Sequence, residues 1–145
     1  MLPKLNSLLL CPGIDTAFAQ KGTDADAIIS FAKKNRITIE TPQDYLVGKS
    51  LDQGPFTIKA KDALIPGDFP ISIGPLTQKK YAQVIATSAT AFYNGLMGTI
   101  KNMQTLQGVH ALFNAMQHCE FALVAGGDSI AAARVLDFDK NLTLS

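Results

Sequence analysis

Short apolar runs alternate with longer stretches of helical periodicity along this chain. Leu5–Cys11 (LNSLLLC) reads as a buried strand, and Pro12-Gly13 ends it. Ile14–Gln20 follows as a short helical stretch. Asp24 is placed to cap the helix DADAIISFAKKNR, where Ala27, Ile28, Phe31 and Ala32 recur at helical spacing and predict its buried face. Ile37–Thr41 alternates, is rich in β-branched residues and predicts a strand bounded by Pro42. From Asp44 to Ile73 the pattern weakens. DYLVG and PFTIKA suggest short strands in an irregular excursion with a β-hairpin, punctuated by Gly48, Gly54, Pro55, Pro66, Gly67 and Pro70.

Order returns at Pro75. PLTQKKYAQVIAT predicts a helix with proline in its first turn. ATAFY predicts a strand, and NGLMG a glycine loop. Thr105–His118 predicts an amphipathic helix with Leu106, Val109, His110, Leu112, Phe113 and Met116 toward one side. Glu120–Ala125 is a strand, Asp128–Leu136 a helix, and Asn141–Ser145 the start of another strand. Apolar strands joined by helical crossovers imply an α/β fold: three layers, Rossmann-like, with a mostly parallel sheet covered on both faces. Residues 1–145 read as one domain.

Composition narrows the classes. With 47% hydrophobic and 17% charged residues, the chain can build a core rather than remain disordered. Its net charge is +1, and Lys33-Lys34 and Lys79-Lys80 are isolated pairs, so neither nucleic acid nor an anionic membrane is an expected partner. No run approaches the ~18 apolar residues of a membrane span, and MLPKLNSLLLCPG is too short in apolar core for a signal peptide. Cys11 and Cys119 read as small buried hydrophobes, so a reducing, cytoplasmic setting is expected. His118-Cys119 reads as a helix end rather than a metal pair, and Met97, Met103, Met116 and Phe113 as core.

The chemistry-bearing positions are the strand-to-helix junctions: Cys11-Pro12-Gly13, Asn94-Gly95-Leu96-Met97-Gly98 and Gly126-Gly127-Asp128-Ser129. Parallel topology puts all three at one sheet edge, where ligands of such folds bind. Glycines admit a ligand close to the backbone, and a helix N-terminus presents free N–H groups to a phosphate. A carboxylate there repels the phosphate unless a cation lies between, as Mg²⁺ commonly does. Two readings of Gly126–Ser129 stand side by side. In one, Asp128 or Ser129 caps the helix and the glycines make the turn; in the other, the turn holds an anion.

The junctions and their order resemble phosphoglycerate kinase, specifically its C-terminal nucleotide-binding half, over nearly the whole chain. KLNSLLLCPGIDTAFAQ is similar to the family's strand, triple-glycine turn and helix; IGPLTQKKYAQVI to its Gly-Pro helix; TAFYNGLMG to its Asn-Gly-Pro-Met-Gly loop; and LVAGGDSIAAARVL to its Gly-Gly-Gly-Asp-Ser/Thr turn. DKNLTLS matches the strand leading into a Ser-Thr-Gly-Gly-Gly loop.

The resemblance implies binding of ADP or ATP with Mg²⁺. Asp128 would engage the metal. Gly126, Gly127 and the amides near Ser129 would face the transferring phosphoryl group. Asn94 and Gly95 would line the phosphate and ribose side, with Gly13 and Ile71 bordering the base. It also implies a partner: a substrate-binding N-terminal half absent from this sequence, or else a homodimer covering the exposed surface. The family's reaction, phosphoryl transfer between 1,3-bisphosphoglycerate and ADP, is then not expected of this chain alone. The base side departs from the family pattern. Cys11 and Pro12 replace turn glycines, Pro70 a glycine, Ser72 an acidic residue, Leu96 a proline and Lys101 a glutamate, while Ala125 replaces the first glycine of the phosphate turn. Those departures support an alternative, a catalytically dead domain serving as an interaction module.

Overall fold

The computed structural model describes residues 5–15 and 24–145. Strand β1 is Ser7–Leu9, and Ile14 and Asp15 open a helical turn whose continuation to Gln20 lies outside the described residues. Helix α1 is Asp24–Asn35, β2 is Thr38–Glu40, and β3, β4 and β5 are Asp44–Gly48, Thr57–Ala60 and Phe69–Ile73. Then come α2 (Pro75–Ala86), β6 (Thr90–Asn94), a 3-10 turn over Met103–Leu106, α3 (Gln107–Met116), β7 (Phe121–Ala125), α4 (Gly127–Val135) and β8 (Thr143–Leu144).

The architecture is α/β with parallel strands, as the alternation implies. Among the described residues the strands fall into three hydrogen-bonded groups rather than one sheet: β1 parallel to β2, the parallel set β6-β7-β8, and an antiparallel set β4-β3-β5. The antiparallel set is the irregular excursion of the sequence, with one strand more than the hairpin expected there. Strand β5 escapes notice because Pro66, Gly67 and Pro70 interrupt its pattern. It tolerates Pro70 because it pairs only with β3, so one edge needs no donor. The middle strand, β3, is buried along most of its length.

The core lies where α2 and α3 pack on β5, β6 and β7: Ile73, Tyr81, Leu106, Val109, Phe113, Met116 and Val124 are all fully covered. Tyr93, Phe113 and Phe138 meet edge to face, with ring centroids 5.0 and 5.9 Å apart.

Two helix faces differ from expectation. In α1 the buried residues are Ala25 and Ala32, while Ala27, Ile28 and Phe31 are exposed. The helix carries two apolar stripes, and the one with the smaller residues turns inward. In α3, His110 is exposed and rests against Phe138 at 5.3 Å between rings, beside the buried stripe rather than in it. Met103 is also exposed, unlike Met97 and Met116. Among the described residues, no helix is long and apolar enough to cross a membrane.

Candidate functional site

Strands β6 and β7 run in register, so Asn94 and Ala125 are opposite each other at their carboxyl ends. The chain leaves both strands through glycines with left-handed φ: Gly95 at +95° and Gly126 at +94°. That region disfavours a side chain, so glycine there is a backbone requirement. A Cβ on Gly126 would lie 3.1 Å from Asn94 Oδ1 and 3.8 Å from Ser129 Oγ. The turn and the end of β6 therefore form one surface. Asn94, Gly95, Gly126, Gly127 and Asp128 are exposed on it, while Ser129 is buried.

The reading of Asp128 or Ser129 as a cap fails here. Helix α4 begins one residue earlier, at Gly127, with Gly126 as its N-cap and no side chain accepting from its first amides. The first intrahelical bond runs from Ile130 N–H to the Gly126 carbonyl at 2.9 Å. Among the described residues, no side chain accepts from the N–H groups of the first turn, and nothing lies within 4 Å of where a Cβ on Gly127 would be.

Sequence reasoning missed the other built helix start. Asp44, buried in β3, accepts from Leu76 N–H at 3.0 Å, Thr77 N–H at 2.8 Å and Thr77 Oγ1 at 2.6 Å, closing the N-terminus of α2. Thr77 Oγ1 accepts in return from the Gln43 amide at 2.9 Å and the Asp44 amide at 3.1 Å. Gly74 is required by close approach: a Cβ there would sit 2.4 Å from the Asp44 carboxyl carbon.

The two residues assigned to the base side stand on different elements. Gly13 is exposed beyond β1, with φ +90°. Ile71 is in β5, only 4% exposed, and with Phe56 it fills the space above Gly48. No described contact joins it to Asn94 or the glycine turn. Lys101 is exposed after the β6 loop.

Near the end of β1, Tyr45 donates to the buried Asp15 carboxylate, which also faces Lys61 Nζ at 3.8 Å. Burial, reinforced by the Asp15 charge, pushes the Cys11 thiol up to about 11. Burial raises Cys119 too, and its Sγ donates to the Ile85 carbonyl at 3.5 Å. Both cysteines are free and half-buried, and neither is poised as a nucleophile.

A family model described as phosphoglycerate kinase matches residues 13–144. A phosphoglycerate kinase of Tropheryma whipplei is 33% identical over 154 residues, covering 96% of this chain and 38% of that protein. One from Streptomyces avermitilis is 36% identical over 117 residues, 75% of this chain and 29% of that protein. Phosphoglycerate kinase from Coxiella burnetii superposes with a TM-score of 0.81 at 25% identity, over 96% of this chain and 40% of that one. The Pyrococcus horikoshii structure, at 20% identity and TM-score 0.59, shares the fold. The chain spans less than half the length of these relatives. By the extent of the family match and the agreement of fold, the chain belongs to the phosphoglycerate kinase family.

Proposed function

We propose that these 145 residues form the nucleotide-binding half of a phosphoglycerate kinase-type protein, taking ADP or ATP with Mg²⁺ at the Gly126–Ser129 turn. The observation that carries this reading is the first turn of α4. Among the described residues no side chain caps its amides, which follow a glycine at φ +94° on an exposed turn beside Asn94. A phosphate oxygen is the acceptor such a turn lacks. The residues fit the metal as well. Asp128 is an exposed carboxylate in that first turn, and Mg²⁺ is typically held by one or two carboxylates plus phosphate oxygens. When bound, Mg²⁺ neutralises phosphate charge.

The chain's own groups then have distinct roles. Gly126 and Gly127 leave room for the phosphates, and the Gly127, Asp128 and Ser129 amides donate to them. Asn94 Oδ1 and the Gly95 backbone line the adjoining wall, with Gly13 on the base side. Ile71 reaches a base only if the packing over Gly48 opens. Phosphoryl transfer works by positioning a phosphoryl group between two substrates, so turnover requires an acceptor-binding site beside the nucleotide. This chain is expected to bind rather than to turn over.

Calorimetric titration of Mg-ADP, with and without Mg²⁺ and with Asp128→Ala alongside, tests the reading. Magnesium-dependent binding that weakens at least tenfold in the variant is expected. Absence of heat at millimolar nucleotide, from chain shown to be folded, leaves the interaction-module reading. That second reading draws on the base side, where Pro12 and Lys101 stand in place of residues that fit an adenosine.

A further inference from the structure

Strand β6 ends at Asn94, and the next residue is a glycine. Of the asparagines in the sequence, Asn94 alone has that neighbour; Asn6, Asn35, Asn102, Asn114 and Asn141 all precede a residue with a side chain. The distinction is chemical. The backbone nitrogen of the following residue can attack the side-chain carbonyl carbon of an asparagine. Glycine has no Cβ to crowd that approach and the widest backbone freedom to make it.

The fold leaves this pair open. Asn94 and Gly95 are both exposed, and nothing lies within 4 Å of where a Cβ on Gly95 would be. Four other asparagines have their side chains engaged. Asn35 Nδ2 donates to the Phe31 carbonyl at 2.8 Å and Asn102 Nδ2 to the Asp52 carbonyl at 3.0 Å. Asn114 Oδ1 accepts from Gln117 Nε2, and Asn141 Nδ2 donates to Gln117 Oε1, both at 2.8 Å. Among the described residues no hydrogen bond holds the Asn94 side-chain amide in the same way. It rests instead against the phosphate turn, with Oδ1 3.1 Å from where a Cβ on Gly126 would be.

We propose that Asn94-Gly95 is a modification site, where the chain deamidates itself with water and thereby closes the Gly126 turn to phosphate. The Gly95 nitrogen forms a bond to Asn94 Cγ. The Cγ–Nδ2 bond breaks, the Gly95 proton leaves with Nδ2 as ammonia, and a five-membered imide remains. Water adds to one of the two imide carbonyls and opens its C–N bond. Opening at Cγ gives aspartate, and opening at the main-chain carbonyl gives isoaspartate; no electrons are exchanged. Either product puts a carboxylate beside the first turn of α4, whose amides no side chain among the described residues accepts. A carboxylate has two acceptor oxygens, and the positive end of a helix favours it. It would fill the α4 start as Asp44 fills that of α2. Isoaspartate also lengthens the backbone where Asn94 is in register with Ala125. The modification stands apart from the nucleotide reading; its effect on binding rests on that reading.

The test ages the folded chain in mildly alkaline buffer and follows each asparagine by peptide mass spectrometry. Asn94 should convert at least tenfold faster than Asn114 and Asn141, which are also exposed, and isoaspartate should be among the products. Equal rates, aspartate without isoaspartate, or no conversion while the same chain in urea converts overturns the proposal. Asn94→Gln should abolish the gain of negative charge on ageing, read by native isoelectric focusing. A charge gain that persists in this variant places the reaction elsewhere and sinks the idea. Asn94→Asp carries the charge of the product from the start. It should keep or raise the Tm and bind Mg-ADP at least tenfold more weakly than fresh chain. Undiminished binding, or a lowered Tm, overturns the closing of the turn. Aged chain should lose Mg-ADP binding in step with its deamidated fraction. Fresh chain that binds no Mg-ADP would sink the nucleotide reading, and the mass measurement would still decide the modification.

Discussion

Helices α2 and α4 both start at a glycine that follows a strand, yet their first turns meet opposite fates. At α2 the protein supplies its own anion: Asp44 reaches across from β3 and occupies the amides of Leu76 and Thr77. At α4 no side chain does so, and the acidic residue present, Asp128, points from within the turn toward solvent. A helix terminus satisfied internally is a structural joint. One left to water, in a setting of glycines and an exposed amide side chain, is available to a ligand. Reading "glycine then helix" as a phosphate site without asking what already fills it would have chosen both.

The contrast can be broken at its closed end most severely. Gly74→Ala places a Cβ 2.4 Å from the Asp44 carboxyl and should expel it. Asp44→Ala leaves the same amides without an acceptor. Each should cost roughly 3 kcal/mol in urea denaturation, and the double variant should cost little more than either alone. Full additivity would mean that Gly74 and Asp44 do not act through one contact.

At the open end, the backbone matters more than the carboxylate. Gly126→Ala forces a side chain into left-handed φ beside Asn94 and should cost about 1–2 kcal/mol, read from the same transitions. Asp128→Ala should change stability by no more than about 0.5 kcal/mol while weakening magnesium-dependent nucleotide binding at least tenfold. A stability loss matching that of Asp44→Ala would make Asp128 a cap after all, and the comparison would collapse.

A change of pH sharpens the same contrast from another side. The fold holds Cys11, Tyr45, Tyr81 and Tyr93 protonated above their ordinary ranges, mainly through burial. Unfolded chain loses these protons first, so it binds fewer protons than the native state at high pH and stability falls as pH rises. The Cys11 share is present below the ordinary thiol value of 9.0 and is lost as pH climbs through about 11, and the tyrosine share begins to fall above 10.0 and is lost at still higher pH. Thermal denaturation across that window should show the decline. Asp128→Ala should leave it unmoved, because the groups responsible lie just after β1 and in β3, α2 and β6, not in the turn.

Much of this could be read from sequence where local pattern and structure share one cause. Apolar runs ending in glycine became β6 and β7, and the adjacency of Asn94 to the Gly126 turn follows from their parallel register. Three things resisted. The burial of α1 depended on which of two apolar stripes faces β2, a tertiary choice. Helix α4 starts at a glycine rather than at the polar residues that usually mark a cap, and local sequence alone left the capped and the anion-binding readings of the turn side by side. Asp44 stands 33 positions from Thr77, and nothing local in DYLVG says that its carboxylate belongs to a distant helix. The proposed base side is the least legible part, because Ile71 sits in β5, the strand that the prolines concealed.

That distance between Asp44 and Thr77 also bears on the order in which the chain acquires its form. The loop closed by their contact contains the whole antiparallel set, so its entropy must be overcome before the start of α2 is secured. Helix α2 in turn carries Tyr81 to the Leu10 and Glu40 carbonyls, so β1 and β2 gain those two contacts only once that helix is docked. The middle of the sequence should therefore fold ahead of its beginning. Conservative changes at Thr77 would slow refolding, whereas changes at Leu10 would mainly hasten unfolding.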